Sequence, residues 1–389
     1  MPDELRQASP AAAGDVARAV LEHARTAAAQ WLPELSAPRL QVRLVGQQTR
    51  PRCFLVRLAL DDGTRRRDVL VKVRHSVPEH RRRDLHPHRL VLTPERTLPD
   101  IEAARREYDG LRLAEQAVPA GESDRLGVLR PLAWLPELGG IVMDLVEEPT
   151  LRDRLLDSSR LQPRGRRRVP DPEPWHACGR WLRLFHECPT DLPLGERLSG
   201  REDLHPLFHD YADVLGQPDT GRLRLVARCA AVAHDAVADL PEQLPLGTGH
   251  GDFVSRNVFC SDTGRVTVFD PQPLWRVPVH EDLARMAQVG LRLVDVQAVS
   301  QGAALASRHL QELEDALLDG YYGSDGLPVH ATRLFQLLLL MDRWSDLVRK
   351  RSRGGGRARR TGRAALRTAT ELHYRREAER LTSLLEAGR

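Results

Sequence analysis

The apolar period of this chain changes once, and that change limits the folds open to it. Leu40, Val42 and Leu44 alternate with Gln41 and Arg43, the two-residue period of a strand with one buried face. The runs Cys53 to Leu60 and Asp68 to Val73 follow, separated by the turn residues Asp61-Asp62-Gly63, so an antiparallel meander is expected. A helix opens at Asp100, and two more strands are expected over Gly127 to Trp134 and Gly140 to Val146. Beyond Pro149 the period lengthens to that of helices: Trp175 to Glu187, Gly221 to Leu240, Glu281 to Arg292, Ala304 to Leu318 and His330 to Lys350. One β island, Asn257 to Cys260 with Val266 to Phe269, interrupts them. The stretch Gln162 to Pro174, with its prolines and basic cluster, is expected as a loop. An α+β chain with a small β-rich lobe and a mostly helical lobe results, and 389 residues suit two lobes at roughly 100–200 residues each. The expected divisions are an N-terminal helical extension (1–38, with its helix over Asp15 to Trp31), the small lobe (39–147), the large lobe (148–346), and a basic linker with a final helix of about Ala364 to Ala387 (347–389).

Hydrophobic residues make up 41% of the chain and charged residues 29%, which excludes a disordered tail protein and a small disulfide scaffold. No apolar run reaches the roughly 18–20 residues that cross a bilayer. Met1 to Pro10 lacks a basic start followed by an apolar stretch, so no secretory signal is expected. The five cysteines show no pairing motif and read as reduced thiols of a cytoplasmic protein. The net charge of +4 is uneven: nine basic residues and no acid lie between Leu347 and Thr370, leaving the rest of the chain at −5. Whole-protein nucleic-acid binding is therefore a poor reading. The 347–370 segment reads either as a solvated linker or as a patch that recruits a polyanion, such as an anionic membrane surface, a phosphorylated glycan or RNA.

The chain holds only two lysines, Lys72 and Lys350, and a single asparagine, Asn257. A GC-rich coding sequence accounts for the bias, and it raises the question of what arginine or aspartate would fail to do at Lys72 and Asn257. Asn257 closes the densest motif of the chain, His250-Gly251-Asp252-Phe253-Val254-Ser255-Arg256-Asn257, which Val266-Thr267-Val268-Phe269-Asp270 follows. Phosphoryl transfer from ATP needs a carboxylate to orient the attacking hydroxyl, and oxygen ligands to hold Mg²⁺ on the phosphates. Asp252, on the turn before a hairpin, suits the first role; Asn257 and Asp270, on its two arms, suit the second. An amide oxygen binds metal without adding charge, where a second carboxylate would repel the phosphates.

Lys72 lies in Val69-Leu70-Val71-Lys72-Val73, with the valines on one face of the strand and Leu70 and Lys72 on the other. A solvated charge would tolerate arginine, whereas a tight phosphate site favours a compact ammonium. Its partner should come from the next helix. Counting about 100° per residue from Ile101, Ala104, Tyr108 and Leu111 share an apolar face, Glu107 flanks it, and Glu102 points away. Glu107 is the choice, with Glu102 the weaker option.

Together these residues resemble the aminoglycoside phosphotransferase and choline kinase-like branch of the protein-kinase-like fold, over about Leu40 to Met286. The resemblance implies a nucleotide-binding small lobe carrying Lys72 and Glu107, a hinge around Asp144 to Glu148, Asp252 as catalytic base, and Asn257 and Asp270 as magnesium ligands. Asp282, in Glu281-Asp282-Leu283-Ala284, is expected as a structural partner of the catalytic loop. Arg256 resembles a loop arginine that contacts the transferred phosphoryl. The chain departs from familiar kinases in three ways. Gly46 to Arg50 offers one glycine where a phosphate-covering loop has several. Asp270-Pro271-Gln272 replaces Asp-Phe-Gly, and Pro271 argues against a flipping switch. About 34 residues separate Lys72 from Glu107, a long connection.

The resulting expectation is an ATP- and Mg²⁺-dependent phosphotransferase acting on a hydroxyl of a small molecule or glycan, of aminoglycoside, sugar or amino-alcohol type. The alternatives are a catalytically inactive nucleotide-binding scaffold on the same fold, or an atypical protein kinase. A polycationic acceptor would want an acidic pocket, for which Glu312, Glu314, Asp315 and Asp319 are the candidates.

Overall fold

The computed structural model describes residues 10–35, 37–50, 52–75, 98–159, 169–216, 220–294, 305–323, 328–352 and 360–388. Helix α1 (Pro10–Trp31) packs against an antiparallel sheet of β1 (Gln41–Arg50), β2 (Cys53–Asp61), β3 (Arg66–Arg74), β5 (Pro131–Leu135) and β6 (Gly140–Asp144), in the order β1-β2-β3-β6-β5. Val56, Leu58, Val69 and Val71 meet Val20, Ala24 and Ala28 of α1 in one buried cluster. Fully burying a valine-sized side chain contributes about 1.5–3 kcal/mol, so this face anchors β3. The opposite face of β3 and β6 presents Leu70, Ile141 and Met143 to Leu111 and Tyr108 of α2 (Asp100–Ala117). The alternation expected around Lys72 is what divides these two clusters.

The expected strand Gly127 to Trp134 is two strands. β4 (Leu126–Val128) leaves the sheet and pairs parallel with β10 (Val266–Val268), which also pairs with β9 (Val258–Cys260). Pro131, which has no N–H to give a ladder, opens β5. The expected β island is thus part of a three-stranded sheet, and a third small sheet joins β7 (Gly195–Glu196), β11 (Trp275–Pro278) and β8 (Leu246–Thr248).

The rest is helical: α3 (Leu151–Ser159), α4 (Glu173–Glu187), α5 (Leu204–Gly216), α6 (Thr220–Ala238), α7 (Val279–Arg285), α8 (Ser307–Tyr322), α9 (Val329–Ser352) and α10 (Arg360–Ala387). The sequence reading lacked α3 and α5, and 162–168 of the expected loop lie outside the described residues. Trp175, Trp181 and Phe185 of α4 pack with Leu313 and Leu317 of α8. Leu334, Phe335, Leu338 and Trp344 of α9 form a second core with α5, α6 and α10, the last supplying Ala378, Leu381 and Leu385.

The basic segment differs from expectation. Helix α9 runs on to Ser352 and α10 starts at Arg360, so the linker expected from Leu347 is helical on both flanks. Residues 353–359, with the glycine triplet, lie outside the described residues. Among the described residues no helix is long and apolar enough to cross a membrane.

Candidate active site

Strand β3 sits inside its sheet, paired on one side with β2 and on the other with β6, so Lys72 is held from both edges opposite Leu55 and Ile141. Its Nζ lies 2.7 Å from Glu107 Oε1 and 2.5 Å from Asp270 Oδ1. Arg74, next along the same face, places Nη2 2.6 Å from Glu107 Oε2. Glu107 is buried on α2 between these two cations, while Glu102 is exposed. Ile101, the starting point of the helical count, is itself exposed, yet the period still puts Glu107 on the buried side. Burial alone would lower the Lys72 pKa; Asp270 and Glu107 outweigh it and hold the ammonium above its ordinary range. Burial would likewise raise the Asp270 carboxyl, but Lys72 and the surrounding hydrogen bonds keep it below the usual carboxylate range.

Helix α2 reaches this segment because Gly110 has no side chain. A Cβ there would lie 2.7 Å from the Pro271 carbonyl oxygen. Asp270 has φ of 57°, a left-handed conformation that an aspartate holds only when its surroundings impose it. The flanking bonds do so: Phe269 N–H donates to the Asn257 carbonyl at 3.0 Å, and Gln272 N–H to the His250 carbonyl at 2.8 Å. These two bonds fasten the Asp270 segment to the loop.

Within that loop, Asn257 Nδ2 donates to the Asp252 carbonyl at 2.9 Å and to Asp252 Oδ2 at 3.1 Å, and Arg256 Nη2 donates to the same carboxylate oxygen at 2.7 Å. With its amide nitrogen turned to Asp252, Asn257 leaves its amide oxygen for another partner. Asp270 uses Oδ1 on Lys72, and its side chain is 32% exposed. The described residues contain no group of three His, Cys, Asp or Glu side chains that would cage a metal. An amide oxygen and one carboxylate instead match an ion that takes its remaining ligands from phosphates and water, as Mg²⁺ does.

Beneath the loop, Asp282 Oδ2 accepts the His250 backbone N–H at 2.6 Å and faces His186 Nε2 at 3.6 Å. This is the supporting position expected of it. Burial would raise its pKa, but the His186 contact and nearby cations bring it down to about 2. His250 is fully buried beside Trp181, Phe185 and Phe253, and burial pushes its imidazole pKa down. Its Nδ1 accepts the Asp252 backbone N–H at 3.3 Å. The helix expected over Glu281 to Arg292 widens after Arg285 into a π turn, Met286–Leu291, a distortion common next to functional sites. Here Ser255 Oγ donates to the Gly290 carbonyl at 2.5 Å, and a Cβ on Gly290 would lie 2.9 Å from Ser255 N.

Gly46 to Arg50 belong to β1, paired from Gly46 opposite Arg57 to Arg50 opposite Cys53. They are a strand, not the loop read from the sequence. Residues 144–148, the expected hinge, border a cleft of about 830 Å³ lined by Arg57, Asp68, Glu147 and Thr267, and Lys72 and Asp252 are not among its walls. Arg57 is ion-paired there with Asp68 and Glu147. The acidic candidates stand elsewhere. Glu314 is buried against Arg292 and Arg333, and Asp315 and Asp319 line a separate cavity between α8 and α9. Arg74 went unread because one arginine among so many carries no compositional signal, although its place two residues beyond Lys72 puts it on the same face.

A family model described as the phosphotransferase enzyme family matches residues 61–316. No curated protein matches the sequence. Among solved structures, the AMP-bound complex of a spectinomycin phosphotransferase superposes with a TM-score of 0.50 at 9% identity, covering 95% of this chain and 98% of that one; the likeness is one of fold. A choline kinase from Streptococcus pneumoniae aligns at 12% identity and a TM-score of 0.46, over 94% of this chain and 98% of the other. A choline/ethanolamine kinase family protein from Mesorhizobium loti aligns at 16% identity and 0.45, over 94% and 99%.

Proposed function

The chain belongs to the phosphotransferase enzyme family, and from that premise we propose that it moves the γ-phosphoryl group of ATP, with Mg²⁺, to a hydroxyl of a small molecule or glycan. The carrying observation is the meeting of Lys72 with Asp270, 198 residues apart, and the bonding of the Asp270 segment to the loop that holds Asp252 and Asn257. In this reading residues 39–147 bind the nucleotide and 148–346 supply the catalytic loop and the acceptor site. A cytoplasmic location, where ATP is supplied, goes with this reading.

Lys72, braced by Glu107, holds the phosphates from the small lobe, and Arg74 fixes the other oxygen of Glu107. The Asn257 amide oxygen and the Asp270 carboxylate would hold Mg²⁺, which supplies neutralising charge to the phosphates. Asp252 orients the acceptor hydroxyl and takes its proton as the hydroxyl oxygen bonds to the γ-phosphorus. The bond from that phosphorus to the bridging oxygen breaks, and ADP leaves with the electron pair. Arg256 sets the Asp252 carboxylate and stands beside the transferring group. Catalysis of this kind is positioning and charge stabilisation.

Asp252→Asn is expected to keep AMP-PNP–Mg²⁺ affinity and lose at least about 10²-fold in kcat, the scale of acid–base assistance. Asp270→Ala should lose magnesium-dependent nucleotide binding altogether. Near-native turnover in purified Asp252→Asn, or no magnesium-dependent nucleotide binding by the wild type, would overturn the proposal.

A further inference from the structure

A cavity of about 250 Å³ opens beside the catalytic loop, with walls drawn from the large lobe and α10. Arg152, Val254, Ser255, Arg256, Arg343 and Tyr374 are among its walls. No aspartate or glutamate lines it, and neither do Lys72, Glu107 or Asp270. It therefore lies outside the proposed phosphate and metal positions, yet shares Arg256 with Asp252, to which that arginine is hydrogen-bonded at 2.7 Å.

Three guanidinium groups from α3, the loop and α9 meet in this small space. Arg152 and Arg343 make no ion pair among the described residues, and the Nε of each is buried without a hydrogen-bond partner. Asp342, next to Arg343, is buried and accepts the Tyr211 hydroxyl at 3.0 Å. A guanidinium does not escape its charge by losing a proton, and a guanidinium nitrogen buried without a partner is costly unless an acceptor joins it. Burial lowers the pKa of Arg343; the nearby Asp342 and Asp252 carboxylates offset this in part, while Arg285 and Arg256 add to it. The fork of each arginine suits paired oxygens of a phosphate or carboxylate.

We infer that the acceptor alcohol is itself anionic, and that Arg152, Arg343 and Arg256 bind its phosphate or carboxylate group while its hydroxyl faces Asp252. This rests on the phosphotransferase reading above and narrows its acceptor. Polycationic acceptors, which the sequence allowed, meet three like charges here and are disfavoured.

The test compares initial rates for glycerol 3-phosphate and glycerate against glycerol, choline and kanamycin, with ATP and Mg²⁺. An anionic alcohol should exceed the neutral and cationic ones at least about tenfold in kcat/KM, and the first two arms separate phosphate from carboxylate recognition. Arg343→Gln and Arg152→Gln should each raise KM for that alcohol about 10–100-fold, the scale of a lost charge-assisted hydrogen bond. AMP-PNP–Mg²⁺ affinity should match wild type in both. Preference for choline or kanamycin, or an unchanged KM in both variants, overturns the inference and leaves the phosphotransferase reading standing. If no alcohol turns over, calorimetric titration of the AMP-PNP–Mg²⁺ complex with glycerol 3-phosphate and with glycerate decides. Saturable binding weakened in both variants supports the inference, and no binding of either overturns it. Failure of the wild type to bind AMP-PNP with Mg²⁺ would instead break the underlying reading.

Discussion

The two sides of the candidate site hold their charges by different means. On the small-lobe side Lys72, Arg74 and Glu107 have side chains only 12%, 4% and 1% exposed, and Glu107 bonds to both cations across β3 and α2. On the large-lobe side Asp252 is 19% exposed and Arg256 50%, and their bonds with Asn257 all fall within a loop of six residues. The first set is built by packing two elements together, whereas the second is built by local backbone geometry. Damage to the small-lobe set should therefore appear as lost stability, and damage to the loop as lost chemistry.

The sharpest way to break that contrast is Glu107→Ala, which leaves Lys72 and Arg74 buried with half of their counter-charge. Removing one partner of a buried pair costs about 3–5 kcal/mol, so urea unfolding should show a loss of that order. A loss below about 1 kcal/mol would mean that packing, not charge, organises this side.

Acid titration probes burial in the large lobe. His280, buried and hydrogen-bonded to the Tyr322 hydroxyl at 2.8 Å, has its pKa pushed down to about 4 by burial, with His186 adding to the effect. The unfolded imidazole takes up its proton near 6.5, so the unfolded chain binds more protons between these values. Stability is then complete above pH 6.5 and falls as the pH drops toward 4, by about 3 kcal/mol from this group. His280→Gln should flatten the stability–pH profile over that window; an unchanged slope would assign the loss to other groups.

A smaller effect is expected from Gly110→Ala, whose new Cβ would collide with the Pro271 carbonyl. Overpacking of this kind costs about 1–3 kcal/mol. Because the displaced segment carries Asp270, magnesium-dependent nucleotide affinity should fall along with stability. Stability loss with unchanged affinity would show that the candidate site tolerates separation of its two sides. Smallest is Ser255→Ala, which removes the donor to the Gly290 carbonyl under the loop. About 1 kcal/mol of stability is expected, with turnover reduced as well, if local bonding is what aims Asp252. Full turnover would show that the loop holds its shape without the π turn beneath it.

Much of this was legible in the linear chain, for reasons that differ from residue to residue. Lys72 stood out because a composition that replaces nearly every lysine with arginine kept it, and strand alternation placed it opposite the valines. Glu107 followed from helical period alone, although the residue that began the count proved exposed. Asp252, Asn257 and Asp270 were readable as a spacing. The splitting of Gly127 to Trp134 between two sheets was not, since both halves have strand character and only the partner β10, more than a hundred residues on, decides which joins what.

What the sequence determined by itself is local: which side chains share a face of β3 or α2, and which residues one loop brings within reach of one another. Those relations follow from backbone geometry over a few residues, and backbone geometry has few states. Which carboxylate meets Lys72, that Arg74 shares it, and that Arg152 and Arg343 converge beside Asp252 were decided only by the tertiary structure. Those contacts depend on how elements from three parts of the chain close on one another, and no local period encodes that closure.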